Sequence, residues 1–363
     1  PGELIVPEHC DLMAAIGAAH VALDEDREGR EHPFHGFGPL EEVVRAGGNG
    51  EQSLAPLTSR SREAHCYSFP APRGAPTAVY LGVDVGSIST NLVLLDEHDR
   101  VVARRYLLTA GKPLDAVREG LGQIGAEIGH RLKVLGVGTT GSARHLVGQY
   151  VGADVVRNEI TAQARAAVAV DPAVDTVFEI GGQDSKYIRI DGGVVVDFAM
   201  NNACAAGTGS FLEEQAERLD LSIRDDFARL ALEAPAPACL GERCTVFMES
   251  DLVHHQQRGA AVEDLTAGLA YSIVHNYLNR VVGSRAVGSR VLFLGGVAHN
   301  AAVASAFEAV LGRPVRVPPH HDVTGAIGAA LLAREERASG SAHDTRFRGF
   351  ECARRRHESR SLV

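Results

Sequence analysis

Tryptophan is absent from this 363-residue chain, methionine occurs three times and aromatic residues make up only 5% of it. So few flat rings leave little with which to stack bases, and the abundance of Ala, Val, Leu and Gly favours close-packed α/β layers. Excess positive charge is missing too: 36 Lys and Arg stand against 46 Asp and Glu, a net charge of −10. Nucleic acids and anionic membranes need a concentrated positive field, so neither is an expected partner. No apolar run approaches the ~20 residues that cross a bilayer, and no secretory signal pattern is visible. The cysteines, at 10, 66, 204, 239, 244 and 352, are too scattered for the disulfide framework of a small secreted domain, and a cytoplasmic location is expected. The motif G-x-x-x-x-G-K-[ST] occurs nowhere, which excludes a P-loop.

What the chain does contain is a repeat. "VPEHCDLMAAIGAAHVAL" from Val6 is echoed by "VPPHHDVTGAIGAALLAR" from Val317, with Asp11 recurring as Asp322 and Ala15-Ile16-Gly17-Ala18-Ala19 as Ala326-Ile327-Gly328-Ala329-Ala330, always 311 residues on. "FHGF" at 34–37 returns as "FRGF" at 347–350 with a two-residue slip. Self-similarity at a fixed offset marks a duplicated unit. Residues 1–37 therefore read as the tail of a preceding copy, 38–77 as a linker, 78–336 as one whole copy and 337–363 as a second linker whose arginines are solvated. A short helix is predicted at "PLEEVVRA", 39–46.

Within the whole copy, "AVYLGVDVGSISTNLVLLDEHDRVVARRYLL" predicts two or three strands joined by tight turns. Helices are predicted at 113–129, 142–151 and 158–170, with a strand at 132–138 between the first two. A second glycine-turned hairpin follows at 176–200, then mostly helix, then a strand at 290–298 and a closing helix at 323–335. Two strand–turn–strand halves, each trailed by helices, predict a two-lobed α/β unit with a cleft between the lobes.

Each hairpin turn pairs an acid with glycine: Asp84-Val85-Gly86-Ser87 and Gly181-Gly182-Gln183-Asp184-Ser185. Turns of Gly and Ser let backbone N–H groups converge on phosphate oxygens, while nearby carboxylates hold magnesium through water. A third element, "LGGVAHN" at 294–300, offers a bare edge to a flat adenine. "GVGTTG" at 136–141 also fits G-x-G-x-x-G, but it does not lie in the first strand–helix unit, which weighs against a dinucleotide fold.

The stretch "NNACAAGTGSF", 201–211, places Cys204 ahead of a glycine turn that opens a helix, and Cys244 precedes another helix whose N-cap is predicted at Thr245. Helix N-termini favour anions, so a phosphate cradle, a metal or cluster ligand, a reactive cysteine and a buried thiol all suit the pattern. The pairs His254-His255 and His320-His321 lack a metal-ligand pattern and read as solvated loop or helix-end residues.

Taken together, "GVDVGSISTN", "NEITAQA", "EIGGQDSKYI", "NNACAAGTGSF", "RCTVFMESDLV" and "GGVAHN" resemble the activators of 2-hydroxyacyl-CoA dehydratases and the ATPase subunits of benzoyl-CoA reductases, over roughly residues 79–335. The tail repeat resembles the long, tandem members of that family. The resemblance implies the actin-like ATPase fold, two ribonuclease H-like lobes around a nucleotide cleft, and an ATP-dependent one-electron donor with ATP, Mg2+ and a [4Fe-4S] cluster as cofactors. It implies that Asp84, Gln183 and Asp184 are catalytic, that Gly86, Ser87, Gly182 and Gln183 hold phosphates, and that Gly295, Gly296 and Asn300 face adenosine. Ser89, Thr90, Glu159, Gly181, Ser185, Lys186, Val297, Gly325 and Gly328 complete the expected nucleotide contacts. Cys204 and Cys244 would supply half of the cluster's four thiolates, the rest coming from a homodimer partner or from the preceding copy as a pseudo-dimer. The implied partners are a CoA-ester dehydratase or reductase and a ferredoxin- or flavodoxin-like donor.

This chain departs from the family at three cleft positions: Asn91 replaces a lysine, Gln163 a histidine and Glu179 an aspartate. Losing the lysine removes a positive charge near the phosphates, so nucleotide binding is expected while turnover by this copy stays open. A small-molecule kinase of the same fold, or a non-redox nucleotide-dependent assembly module, are the alternatives. The kinase needs a general base for a substrate hydroxyl, and neither has a use for two helix-end cysteines.

Overall fold

The structure, a computed structural model, describes residues 9–10, 12–29, 36–38, 54–58, 76–201, 207–242, 245–339 and 344–354. It divides into a unit of residues 1–52 and a unit of residues 53–363. The first holds helix α1 (Met13–Arg27), none of whose residues is buried. The helix predicted at 39–46 lies outside the described residues.

The second unit opens with three antiparallel strands, β1 (Thr77–Val85), β2 (Ser89–Asp96) and β3 (Val101–Leu108). Helix α2 (Pro113–Ile128) follows, started by a proline in its first turn, where the missing N–H costs nothing, and by Asp115 near the positive helix end. Strand β4 (Leu132–Gly141), helix α3 (Arg144–Val151), the two-residue β5 (Val155–Val156) and helix α4 (Glu159–Val170) complete the first lobe. Asn158 caps α4, its Oδ1 accepting the Thr161 N–H at 2.8 Å.

The second lobe repeats the plan with β6 (Thr176–Ile180), β7 (Ser185–Asp191) and β8 (Val194–Met200). Helices α5 (Gly209–Arg218), α6 (Phe227–Glu233), α7 (Thr245–Gln257) and α8 (Val262–Tyr277) come next. Then follow β9 (Val291–Leu294), α9 (Ala301–Leu311), β10 (Val315–Arg316) and α10 (Thr324–Ala338). The sheet orders are β3-β2-β1-β4-β5 and, read from the other edge, β8-β7-β6-β9-β10. These are the same order, strand for strand. A hairpin plus a third antiparallel strand, then two parallel strands reached through helices, is therefore duplicated, as the paired hairpins in the sequence predict.

Each lobe has its own core. Val83, Leu92, Leu94, Val117, Leu121 and Val137 are inaccessible in the first, and Phe178, Phe293, Phe307 and Tyr277 stack edge to face in the second. Each such side chain contributes about 1.5–3 kcal/mol by leaving water. Helix α10 packs on the first-lobe sheet at backbone contact. A Cβ on Gly82 would lie 1.8 Å from the Ala326 carbonyl oxygen, and one on Gly138 would lie 2.0 Å from that of Ala329. Here "GVGTTG" finds its explanation: it runs inside β4, Gly136 and Gly138 admit helix α10, and Gly141 lies against Val85 and Asp84 of β1.

Two stretches read as linker are packed instead. Leu57 is buried in the second-lobe core, where Tyr271 Oη donates to the Ala55 carbonyl at 2.7 Å. Beyond α10, Phe347 and Phe350 lie against the first-lobe core, Cys352 is buried, and Tyr150 Oη donates to its carbonyl oxygen at 2.7 Å. Spaced aromatics amid arginines hide their apolar half from a composition reading.

α1 and α10 begin and end at equivalent positions of the 311-residue repeat. Gly328 is a close-approach glycine, its Cβ position 1.8 Å from the Ala162 carbonyl oxygen, whereas nothing lies within 4 Å of the same position on Gly17. Gly36 and Gly349, equivalent in the slipped part of the repeat, share φ values of 73° and 76°.

Candidate functional site

The ends of β1 and β6 point their turns into one cleft of roughly 160 Å³. Asp84, Gly86, Ser87 and Ser89 line it from the first lobe, and Gly181, Gly182, Gln183, Asp184 and Lys186 from the second. Glu159 at the start of α4 and Gly295-Gly296 after β9 close its sides. The two turns have the same backbone bond: the Gly86 N–H donates to the Ser89 carbonyl, and the Gly181 N–H to that of Asp184, each at 2.9 Å.

The remaining expected contacts lie elsewhere. Thr90 is buried, its hydroxyl 2.9 Å from that of Thr109. Ser185 is inaccessible. Val297 is buried in the second-lobe core. Asn300, expected at adenosine, caps α9 instead: its Oδ1 accepts from the Ala302 N–H at 3.0 Å and the Val303 N–H at 3.3 Å. Gly328 serves the packing of α10 on α4, and a Cβ on Gly325 would meet Asp84 Oδ2 at 2.1 Å. Gly325 thus makes room for the carboxylate rather than for a ligand. Cys204 and Cys244 lie outside the described residues, and α7 starts at Thr245 itself.

Charge in the cleft is unevenly matched. Lys186 Nζ donates to Glu179 Oε2 at 2.9 Å and Asp184 Oδ2 at 2.8 Å. Although burial opposes its charge, these carboxylates hold the ammonium protonated above its ordinary range. Burial raises Glu179, with Lys186 working against the rise. Asp84 is pushed up to about 7, first by burial and then by Glu179, Glu159 and Asp184, with only Lys186 opposing. Asp84, Glu159, Glu179 and Asp184 face one space, and their carboxylates are hard oxygen donors of the kind magnesium accepts.

The rim contributes residues that motif reading misses. Arg104 on β3 forks onto Asp322, ahead of α10, at 2.7 and 2.8 Å, and His299 Nε2 lies 3.2 Å from Asp322 Oδ2. Burial would raise Asp322, but these partners hold it well below the usual carboxylate range. His321 is buried, not solvated as its sequence suggests; its Nδ1 donates to the Gly295 carbonyl at 3.1 Å, and burial and His299 lower it to about 4. Gln163 accepts a 2.6 Å hydrogen bond from Thr324 Oγ1, which ties α4 to α10 beside the cleft. Tyr106, Ile88 and Ser142 also line it.

One connection leads out of the cleft. At the start of α5 the Gly209 and Ser210 N–H groups donate to the Gly181 and Gly182 carbonyls at 2.8 Å each, and Ser210 Oγ donates to Gly182 at 2.6 Å. The first amides of α5, the helix that follows Cys204 in sequence, are therefore satisfied by the turn at Gly181-Gly182. A Cβ on Gly209 would stand 3.0 Å from the Gly181 oxygen, a tight contact that glycine avoids.

Duplicated ribonuclease H-like lobes with acid-and-glycine turns facing across a cleft define a two-lobed ATPase of the actin-like class. More closely, the chain belongs to the BadF/BadG/BcrA/BcrD ATPase family, whose profile matches residues 81–333. It is 33% identical over 263 residues to the (R)-2-hydroxyglutaryl-CoA dehydratase activating ATPase of Acidaminococcus fermentans, covering 71% of this chain and 98% of that one. It is 35% identical over 265 residues to the activator of lactoyl-CoA dehydratase of Anaerotignum propionicum, covering 70% and 97%. Among solved structures, the 2-hydroxyisocaproyl-CoA dehydratase activator of Clostridium difficile with bound ADPNP superposes with a TM-score of 0.65 at 29% identity, over 73% of this chain and 97% of that one.

Proposed function

We propose that this chain is an ATP-dependent one-electron donor that activates a CoA-ester dehydratase or reductase in the cytoplasm, through a [4Fe-4S] cluster shared between two activase units. Membership of an activator family supports the class, and among the described residues no helix is long and apolar enough to cross a membrane. The observation that carries the redox part is the hydrogen-bonded junction of the phosphate turn with α5. Any displacement of Gly181 and Gly182 on binding or losing the γ-phosphate is passed to α5, the helix that follows Cys204 in sequence.

In this reading Gly86, Ser87, Gly182 and Gln183 cradle the phosphates, and Asp84 and Asp184 hold Mg2+ and orient the attacking water. Lys186 keeps Glu179 and Asp184 placed. Cys204 and Cys244 hold half of the cluster. Two thiolates ahead of two helix N-termini are a donor set that suits it, and bound there the cluster supplies single-electron reduction. The other two thiolates come from a second unit. α1, as the closing helix of a preceding copy, makes that copy the first candidate, with a homodimer partner as the other source. A ferredoxin- or flavodoxin-like protein recharges the cluster.

The test is anaerobic purification of the natural chain. Brown protein that dithionite bleaches, with about four iron atoms per pair of units, is expected, and Cys204→Ser or Cys244→Ser should abolish the colour while ADPNP still binds. Colourless wild-type protein that binds ADPNP would leave a nucleotide-driven assembly module.

A further inference from the structure

The two lobes share one plan, and comparing them exposes a difference at the floor of the cleft. Asp84-Val85-Gly86-Ser87-Ile88-Ser89-Thr90-Asn91 corresponds residue by residue to Glu179-Ile180-Gly181-Gly182-Gln183-Asp184-Ser185-Lys186. The equivalent turn bonds of Gly86 and Gly181 support the alignment, and so does strand register: Asp84 faces Asn91 across β1 and β2 as Glu179 faces Lys186 across β6 and β7. Directly opposed residues project from one face of a sheet, and all four line the cleft.

In the second lobe the acid meets an ammonium, Lys186 on Glu179 at 2.9 Å. In the first lobe the position of that ammonium is held by an amide. Asn91 is only 5% exposed; its Nδ2 donates to Ser89 Oγ at 3.4 Å, and its Oδ1 is buried with no hydrogen-bond partner. Among the described residues no cation forms an ion pair with Asp84, whereas Glu159 has Arg144 at 3.7 Å and Asp322 has Arg104. A buried carbonyl oxygen without a donor and a half-buried acid without an ion-pair partner therefore occupy directly opposed positions on the cleft floor. Both deficits are met by one cation.

We propose that the first lobe carries a binding position for a monovalent cation of ammonium size, potassium, held by the Asp84 carboxylate and Asn91 Oδ1 where the second lobe has Lys186. A neutral amide oxygen beside a single carboxylate suits a weakly hydrated monovalent ion. Mg2+ keeps most of its waters and binds through carboxylates and phosphates, so it leaves the amide unused. The position balances one charge at the cleft floor when a polyphosphate enters. That consequence rests on the nucleotide reading above; the site itself does not.

Two measurements test it. ADPNP affinity at fixed Mg2+ and ionic strength is read in potassium, ammonium, sodium and choline chloride. Wild type should bind at least about tenfold more tightly in potassium or ammonium than in choline. Asn91→Lys should bind tightly in all four salts, and Asn91→Leu should bind weakly in all four. In parallel, crystals of wild-type protein soaked in rubidium chloride should show an anomalous peak in contact with Asn91 Oδ1. A rubidium peak without ADPNP binding would keep the site and remove the nucleotide reading. Equal affinity in potassium and choline, with no rubidium peak, would overturn the site, as would an Asn91→Lys variant that still responds to potassium. The salt series and the peak need only wild-type protein, so a variant that fails to fold does not end the test.

Discussion

Replacing Asp84 with asparagine should stabilise the ligand-free protein at alkaline pH and leave it nearly unchanged in acid. Burial, with Glu179, Glu159 and Asp184 adding to it, raises this carboxyl from 3.8 to about 7 in the folded chain. Between those values the folded state holds a proton that the unfolded state has lost. The stability contributed by the protonated group is therefore fully present below about pH 4, declines as pH rises, and is gone once pH passes the folded value. That displacement corresponds to about 4 kcal/mol over the whole window, and to about 3 kcal/mol between pH 5 and pH 8. Asparagine has nearly the same shape and no charge to lose. Urea denaturation of both proteins at pH 5 and pH 8, in buffer free of potassium and ammonium, should show the stability difference swinging by about that amount toward the variant. Saturating Mg2+ and ADPNP should reverse the order at pH 8, because the ionised carboxylate then has its cation. A difference that stays constant across this range would refute the reasoning, since Asp84 would then be ionised throughout.

The repeat makes a paired prediction: Gly17→Ala should stabilise this chain by about 1 kcal/mol, as expected in an exposed helix interior, while Gly328→Ala should destabilise it by several, because its Cβ meets the Ala162 oxygen. Thermal melts of both variants decide this, and in a longer chain carrying the preceding copy Gly17→Ala should become destabilising. Arg104→Met should cost about 3–5 kcal/mol in denaturant unfolding, because it strands Asp322, whose side chain is only 4% exposed, without its guanidinium. The double variant with Asp322→Leu should recover much of that loss.

Features carried by neighbours in sequence were legible before any fold was known. Both hairpin turns and the closing helix follow from alternation, glycine placement and repetition, and the turns line the cleft with Asp84, Gly86, Gly181, Gly182, Asp184 and Lys186. What stayed hidden depends on contacts between distant residues. Arg104 and Asp322 are 218 positions apart, and nothing around either announces the other. Asn300 after Gly295-Gly296 suggests a ligand, but the same side chain is an excellent N-cap, and the local backbone wins it. Gly325 and Gly328 matter for what they let approach, which glycine spacing does not reveal. The two-residue strands β5 and β10 are too short for any periodicity. Leu57 and Cys352 are apolar anchors inside polar stretches, visible only once a core exists to receive them.

The central claim is that nucleotide in the cleft governs electron release by way of the turn at 181–182. It is tested most directly by the reduction midpoint of the natural chain, purified without oxygen and titrated with and without Mg2+ and ADPNP under electron paramagnetic resonance. The account predicts an iron–sulfur signal whose midpoint falls when nucleotide binds. It predicts a smaller fall in Ser210→Ala, which loses one of the bonds joining that turn to α5. A midpoint indifferent to nucleotide, in protein that demonstrably binds ADPNP, would contradict it.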